Sequence, residues 1–230
     1  MRSLLAALAL GIATLAPGAA SASALPPAAQ RESALDRLVG LLLPDSQMTR
    51  LGTRAFDHAL EKGTLGDAAI RADLARYPGL KAHVAEKLRP ELTKLLRRAL
   101  PSLRRDVRAI LAAELDAEEI AAAATFFGSP TGQKVYSAAL RVVGDEPDRD
   151  ADKARAAATK AVMSSLAAED FPAMMAFGAS GVSDKMNVVN PKIAAAGRVW
   201  AERLVTESSP RMNKLAAKAT RKFVATRRKS

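Results

Sequence analysis

The stretch LDAEEIAAAATFFGSPTGQKV, residues 115–135, decides how the chain is read: one helix, a sharp turn and the start of another. Asp116 is placed to N-cap the first helix, and Glu119, three residues on, reaches back to free backbone N–H groups, the pattern of a capping box. Ile120, Ala123, Ala124 and Phe127 then fall on one face. Gly128 is expected to supply the left-handed residue that ends this helix, and Ser129 with Pro130 to open the next.

An acid-capped helix, the pair Phe126 and Phe127, and then Ser-Pro-x-Gly-Gln-Lys, carried by Ser129, Pro130, Gly132, Gln133 and Lys134, resemble the signature of the bacterial family known as domain of unknown function 2059. The resemblance covers residues 80–140. It implies a small all-helical domain exported from the cytoplasm, and it brings no catalytic residues with it.

The N-terminus has the form of a secretory signal peptide over residues 1–24. Arg2 gives a positive start, an apolar Leu/Ala run follows, and Ala22-Ser23-Ala24 is a small-x-small cleavage site. The apolar run is shorter than the roughly 20 residues a spanning helix needs. Export to the periplasm or beyond is the expectation, and with no Cys in 230 residues the fold must rest on a hydrophobic core rather than on disulfides. Hydrophobic residues are 49% and aromatics 4%; many of the former are alanines, so close helix packing is expected and a β-sandwich or barrel is not.

The formal net charge is +11, and removal of Arg2 with the leader would leave +10. Such a charge attracts anionic partners. For an exported chain these are an anionic envelope component, another protein or an anionic membrane surface, while intracellular nucleic acid is a poor candidate.

Along the chain, a Pro/Ala linker over residues 25–30 leads into a helix with Leu35, Leu38, Val39, Leu41 and Leu42, closed by Pro44. A second helix, residues 46–62, carries Met48, Leu51, Ala55 and Ala59 on its apolar face and is ended by Gly63. Asp67 caps a third with Ile70, Leu74 and Tyr77 before Pro78. Leu80, Val84 and Leu88 mark a fourth before Pro90, and Leu92, Leu95, Leu96 and Leu100 a further one before Pro101, where Ser102 caps a longer helix. A succession of short helices is therefore expected. Around Pro101 lie Arg97, Arg98, Arg104, Arg105 and Arg108. Guanidinium groups bind phosphate and carboxylate bidentately, which makes this a candidate anion ridge; ion pairing with Glu91, Asp106 and Glu114 on a solvated face is the plainer reading.

Residues 145–152 form an acidic linker. Asp148, Asp150 and Asp152 alternate as in a calcium loop, but counting from Asp148 puts Lys153 and Thr159 where an EF-hand needs glycine and a carboxylate, so no metal site is assigned. Residues 166–186, LAAEDFPAMMAFGASGVSDKM, then align without gaps on residues 115–135, with Leu166, Glu169, Phe177, Ser180 and Lys185 repeating Leu115, Glu118, Phe126, Ser129 and Lys134. A duplicated hairpin is the natural explanation, because neither copy alone can bury its apolar face. Pro172 moves the second copy's cap to Asp170. Its turn has Gly181, Ser183 and Asp184 in place of Pro130, Gly132 and Gln133, and is expected to be looser. The second, diverged repeat is set at residues 153–208, after a bundle at residues 25–144.

Pro191 begins or kinks a helix with Ile193, Ala196, Trp200 and Leu204, with Trp200 read as a packing anchor. Ser209 and Pro210 open a last segment, residues 209–230. Met212, Leu215, Ala216, Ala219 and Phe223 make an apolar stripe there, flanked by Lys214, Lys218, Arg221 and Lys222. Such a helix either docks on the bundle or lies on an anionic membrane.

No motif supports catalysis or a cofactor. His58 and His83 are the only histidines and neither belongs to a metalloprotease motif, while the Gly178 to Ser183 loop lacks the ending of a phosphate loop. Paired carboxylates such as Glu118 and Glu119, or Ser129 with Lys134, are what a hydrolase reading would use, but adjacent helical residues point in different directions and Ser129 reads as a cap. The expectation is an all-α bundle of short helices with two related helix-turn-helix hairpins, acting as an exported, non-catalytic binding module. A membrane-surface protein anchored by the last helix and an unrecognised envelope hydrolase are the alternatives.

Overall fold

The computed structural model describes residues 27–62, 68–145 and 151–227, and these are all helix and short turn. Among them are α1 (Pro27–Leu42), α2 (Asp45–Glu61), α3 (Ala68–Arg76), α4 (Leu80–Glu114), α5 (Ala117–Gly128), α6 (Pro130–Asp145), α7 (Ala151–Ser165), a 3-10 turn (Ala168–Asp170), α8 (Phe171–Ala179) and α9 (Val182–Arg227). The leader at residues 1–24, Gly63, the cap expected at Asp67, Asp148, Asp150 and the last residues of the basic tail lie outside the described residues. The all-α class is as expected.

The expectation of short helices fails at the prolines. Residues 80–114 form one helix that carries Pro90 and Pro101 inside it, and residues 182–227 another that carries Pro191 and Pro210. An internal proline costs about 3 kcal/mol because it removes a backbone donor and crowds the preceding turn. Burying a Leu side chain returns roughly 1.5–3 kcal/mol. Leu88, Leu96, Leu100 and Leu103, all buried on either side of the two prolines of α4, outweigh that cost. Ser102 caps nothing: its hydroxyl donates to the Ala99 carbonyl at 2.8 Å. Ser209 likewise donates back to Val205 at 2.6 Å, inside α9. The linker expected at residues 25–30 is already helix from Pro27.

α4 and α9 are the antiparallel spine. His83 meets Phe223, Arg211 pairs with Glu91, the Trp200 indole N–H donates to the Ala99 carbonyl at 3.1 Å, and Lys192 pairs with Glu114 at 2.6 Å. Ascending one helix descends the other.

Two apolar clusters lie along this spine. One joins Leu35, Leu38 and Leu42 of α1, Leu103, Val107 and Leu111 of α4, Ile120 and Ala123 of α5, and Val182, Met186 and Val189 of α9. Trp200 packs at its edge, as expected of a packing anchor. The other joins Phe56 and Leu60 of α2, Ile70 and Leu74 of α3, Leu80, Val84 and Leu88 of α4, and Met212, Ala216 and Ala219 of α9. The buried face of α2 is thus Phe56 and Leu60, while Ala55, assigned to that face from spacing, is exposed. Phe56 offers more apolar area than Ala55, and burial goes to it.

Candidate functional site

The signature turn is built from the backbone outward. Asp116 accepts from the Glu119 N–H and Glu119 from the Asp116 N–H, both at 2.9 Å, so the capping box is complete. At the far end, Gly128 is not left-handed. Helix α5 runs through it, and Ser129 turns the chain by being extended, with φ −77° and ψ 158°. The Ser129 hydroxyl donates to the Phe126 carbonyl at 2.7 Å and accepts from the Gly132 N–H at 3.0 Å, which closes α5 and opens α6 with one side chain. The Gln133 amide donates to the Phe127 carbonyl at 2.5 Å. A Cβ on Gly132 would stand 1.9 Å from the Phe126 carbonyl oxygen and 2.9 Å from the Phe127 Cα, so only glycine fits. Ser129, Pro130, Gly132 and Gln133 therefore make the turn itself.

Lys134 points elsewhere. Its ammonium pairs at 2.5 Å with Asp170, which is buried. The same carboxylate accepts from the Ala167 N–H at 2.9 Å and the buried Thr131 hydroxyl at 2.8 Å. These donors, the Ala167 N–H foremost, then Lys134 and Thr131, hold the Asp170 carboxyl down at about 2. Asp170 was expected to cap α8. It makes no such bond, because its oxygens are turned back to Ala167 and across to the first hairpin.

A second cross-link faces the first. Lys185, at the start of α9, pairs with Glu119 at 2.5 Å, and that hydrogen bond raises the lysine above its ordinary range. Phe126 stacks on Phe177, with Phe127 edge-on to both and to Tyr136. The Tyr136 hydroxyl donates to the Leu42 carbonyl, and burial pushes its phenol upward. The second turn has Ser180 donating to the Phe177 carbonyl at 2.6 Å, followed by a left-handed Gly181 at φ 71°.

These partners separate the pairs a hydrolase would need. Ser129 serves backbone groups, Lys134 serves Asp170, and Glu119 serves the Asp116 N–H and Lys185 while Glu118 is exposed. The arginine ridge is divided as well. Arg104 donates to the Leu43 carbonyl at 2.7 Å and to Asp45 at 3.0 Å. Arg108 bonds Asp36 at 2.8 Å and Glu32, which raises its pKa. Their partners come from α1 and the start of α2 rather than from Glu91 and Glu114, which pair with α9. Arg97, Arg98 and Arg105 stay exposed. On α9 the apolar stripe is spent on the second cluster, with Met212, Ala216 and Ala219 buried, while Lys214, Lys218, Arg221 and Lys222 all face outward.

Two surface features escape the sequence reading. Between α2 and α6, Arg50, Arg54, Lys134 and Arg141 surround a cleft of about 420 Å³, with Leu51 and Leu140 as apolar wall. Arg50 and Arg54 are four apart on α2, and Lys134 and Arg141 seven apart on α6, so each helix turns its cations to one side. Between α5 and α8 runs an apolar groove of about 350 Å³, lined by Ala122, Phe126 and Ser129 from one hairpin and Ala173, Phe177 and Ser180 from the other. Next to it α8, FPAMMAFGA, buries no residue, and Phe171 and Met175 are 48% and 62% exposed.

No group of His, Asp and Glu suited to a metal occurs among the described residues, and no helix among them is long and apolar enough to cross a membrane. No curated protein and no solved structure matches the chain. The matched segment begins and ends later than residues 80–140, taking in the second half of α4, α5, α6 and α7 around the signature turn. Residues 101–168 match the family described as an uncharacterized protein conserved in bacteria, DUF2059, which is the family the signature resembles.

Proposed function

We propose that this is an exported, non-catalytic binding module of the bacterial cell envelope that engages an anionic component through its basic outer surface. The observation that carries the reading is the docking of α9: the stripe goes inward and Lys214, Lys218, Arg221 and Lys222 stand exposed in a row. A helix already docked on the bundle holds these charges in fixed register, so binding has no backbone left to order there. Export rests on the leader-like residues 1–24. The membrane alternative changes form, since a docked stripe has no apolar residues to insert and contact would be by charge alone.

The reading also includes a duplication of the hairpin. What supports it is reciprocity: at the offset that carries Leu115 to Leu166, Glu119 corresponds to Asp170, Phe126 to Phe177 and Lys134 to Lys185. Lys134 pairs with Asp170, Lys185 with Glu119, and the two phenylalanines stack on each other. A local two-fold relation between two copies produces this pattern.

Co-sedimentation of the mature protein with phosphatidylglycerol and phosphatidylcholine vesicles across a salt series tests the binding reading. Deleting residues 210–230 would strip Met212, Ala216 and Ala219 from the core, so the comparison is K214Q/K218Q/R221Q/K222Q, which touches only exposed side chains. Binding to the anionic vesicles alone, lost with salt and weakened in the variant, is expected. Equal binding to both vesicles, or none to either, overturns it.

A further inference from the structure

We infer that the cleft between α2 and α6 is a site for a single phosphate group, carried on a small molecule or a polymer end. The inference rests on the anion-binding reading above and narrows it to one place and one chemistry. Arg50 on α2 and Arg141 on α6 line the cleft from its two helical walls, and no carboxylate is among its described lining residues. Like charges gathered round a gap repel one another, and a bound anion relieves that repulsion. Lys134 is already neutralised by Asp170 on its other side, which fixes its position.

The polar floor fits as well. The Gln47 amide N–H donates to Ser137 at 3.5 Å, which is a long bond, and the Gln47 Oε1 is buried with no hydrogen-bond partner. The Ser137 hydroxyl is therefore free to turn and donate into the cleft, and the Gln47 amide to reorient with it. Phosphate suits this arrangement better than carboxylate. Its oxygens point tetrahedrally and meet donors from both helices at once, its charge reaches two, and arginine binds it bidentately. Leu51 and Leu140 leave an uncharged wall for whatever the phosphate is attached to.

The test is calorimetric titration with inorganic phosphate, glycerol 3-phosphate and acetate, on the wild-type chain and on R50Q, R141Q and R105Q. Arg105 is exposed on α4, outside the cleft, and controls for the loss of one positive charge. Thermal melts check that each variant folds. Both phosphates are expected to bind with acetate at least tenfold weaker, and R50Q and R141Q each to weaken phosphate about tenfold while R105Q leaves it within twofold. Tighter binding of glycerol 3-phosphate than of inorganic phosphate supports the site with Leu51 and Leu140 as the wall for the group that the phosphate carries. Equal losses in all three variants, equal binding of acetate, or no phosphate binding overturns the site. The broader reading is scored separately: wild-type vesicle binding with no phosphate binding leaves the surface reading intact and removes only the cleft, whereas phosphate binding without vesicle binding does the reverse.

Discussion

Phe126 and Phe177 stack nearly parallel, with ring centroids 4.0 Å apart and planes 11° apart, although they lie on separate helices, α5 and α8. Together with the crossed pairs Lys134–Asp170 and Lys185–Glu119, this contact makes α5, α6, α8 and the start of α9 one assembly. Substituting Phe177 by Ala removes the stack and opens the groove. A loss of about 2–3 kcal/mol in chemical denaturation is expected, and F177L should recover more than half of it.

The glycine of the turn is a sharper case. G132A places a methyl group 1.9 Å from a backbone carbonyl, and neither helix can give way without breaking the bonds made by Ser129 and Gln133. A loss of about 3 kcal/mol is expected. At Gly40, within α1, a Cβ meets nothing within 4 Å. G40A should therefore gain up to about 1 kcal/mol from helix propensity alone, measured by the same denaturant titration.

Asp170 sets an acid limit. Its carboxyl is held at about 2, below the ordinary carboxylate value near 3.9, so its contribution to stability is present above that ordinary value and is lost as pH falls towards 2. Melting temperature measured from pH 6 down to pH 2 should fall more steeply below pH 4 for the wild type than for D170N. An equal slope in both would remove Asp170 from the account.

The exposed face of α8 predicts a surface effect without a stability effect. M175E places a charge on a side chain that is 62% exposed and packs against little. Binding of a hydrophobic fluorescent dye should drop, while stability stays within about 0.5 kcal/mol. On α9 the opposite holds: Ala216 is 1% exposed, so A216R should cost about 3 kcal/mol, whereas K218E on the outer face should be near neutral.

The helical class, the capping box and the apolar faces of α1, α3 and α5 could be read from the sequence because each is a local pattern with a local cause. Helix continuity could not. Pro90, Pro101, Pro191 and Pro210 carry a strong local stop signal, and what overrides it is burial against a partner helix far away in sequence. The signature was legible as a turn, but the reason for its glycine was not, since that lies in how closely α6 approaches the last carbonyls of α5. Arg104 and Arg108 looked like a ridge because their acids, Asp45, Asp36 and Glu32, belong to α1 and α2. The cleft cations had a readable signal in the i, i+4 spacing of Arg50 and Arg54. What spacing cannot supply is that α6 brings Lys134 and Arg141 opposite them.

The central claim is that the last residue of the signature, Lys134, works by clasping Asp170 in the turn before α8. The most direct measurement is a double-mutant cycle, with melting temperatures of the wild type, K134M, D170N and K134M/D170N at pH 7. The account predicts that K134M lowers the melting temperature in the wild-type background and leaves it unchanged once Asp170 is Asn. The same drop in both backgrounds would contradict it.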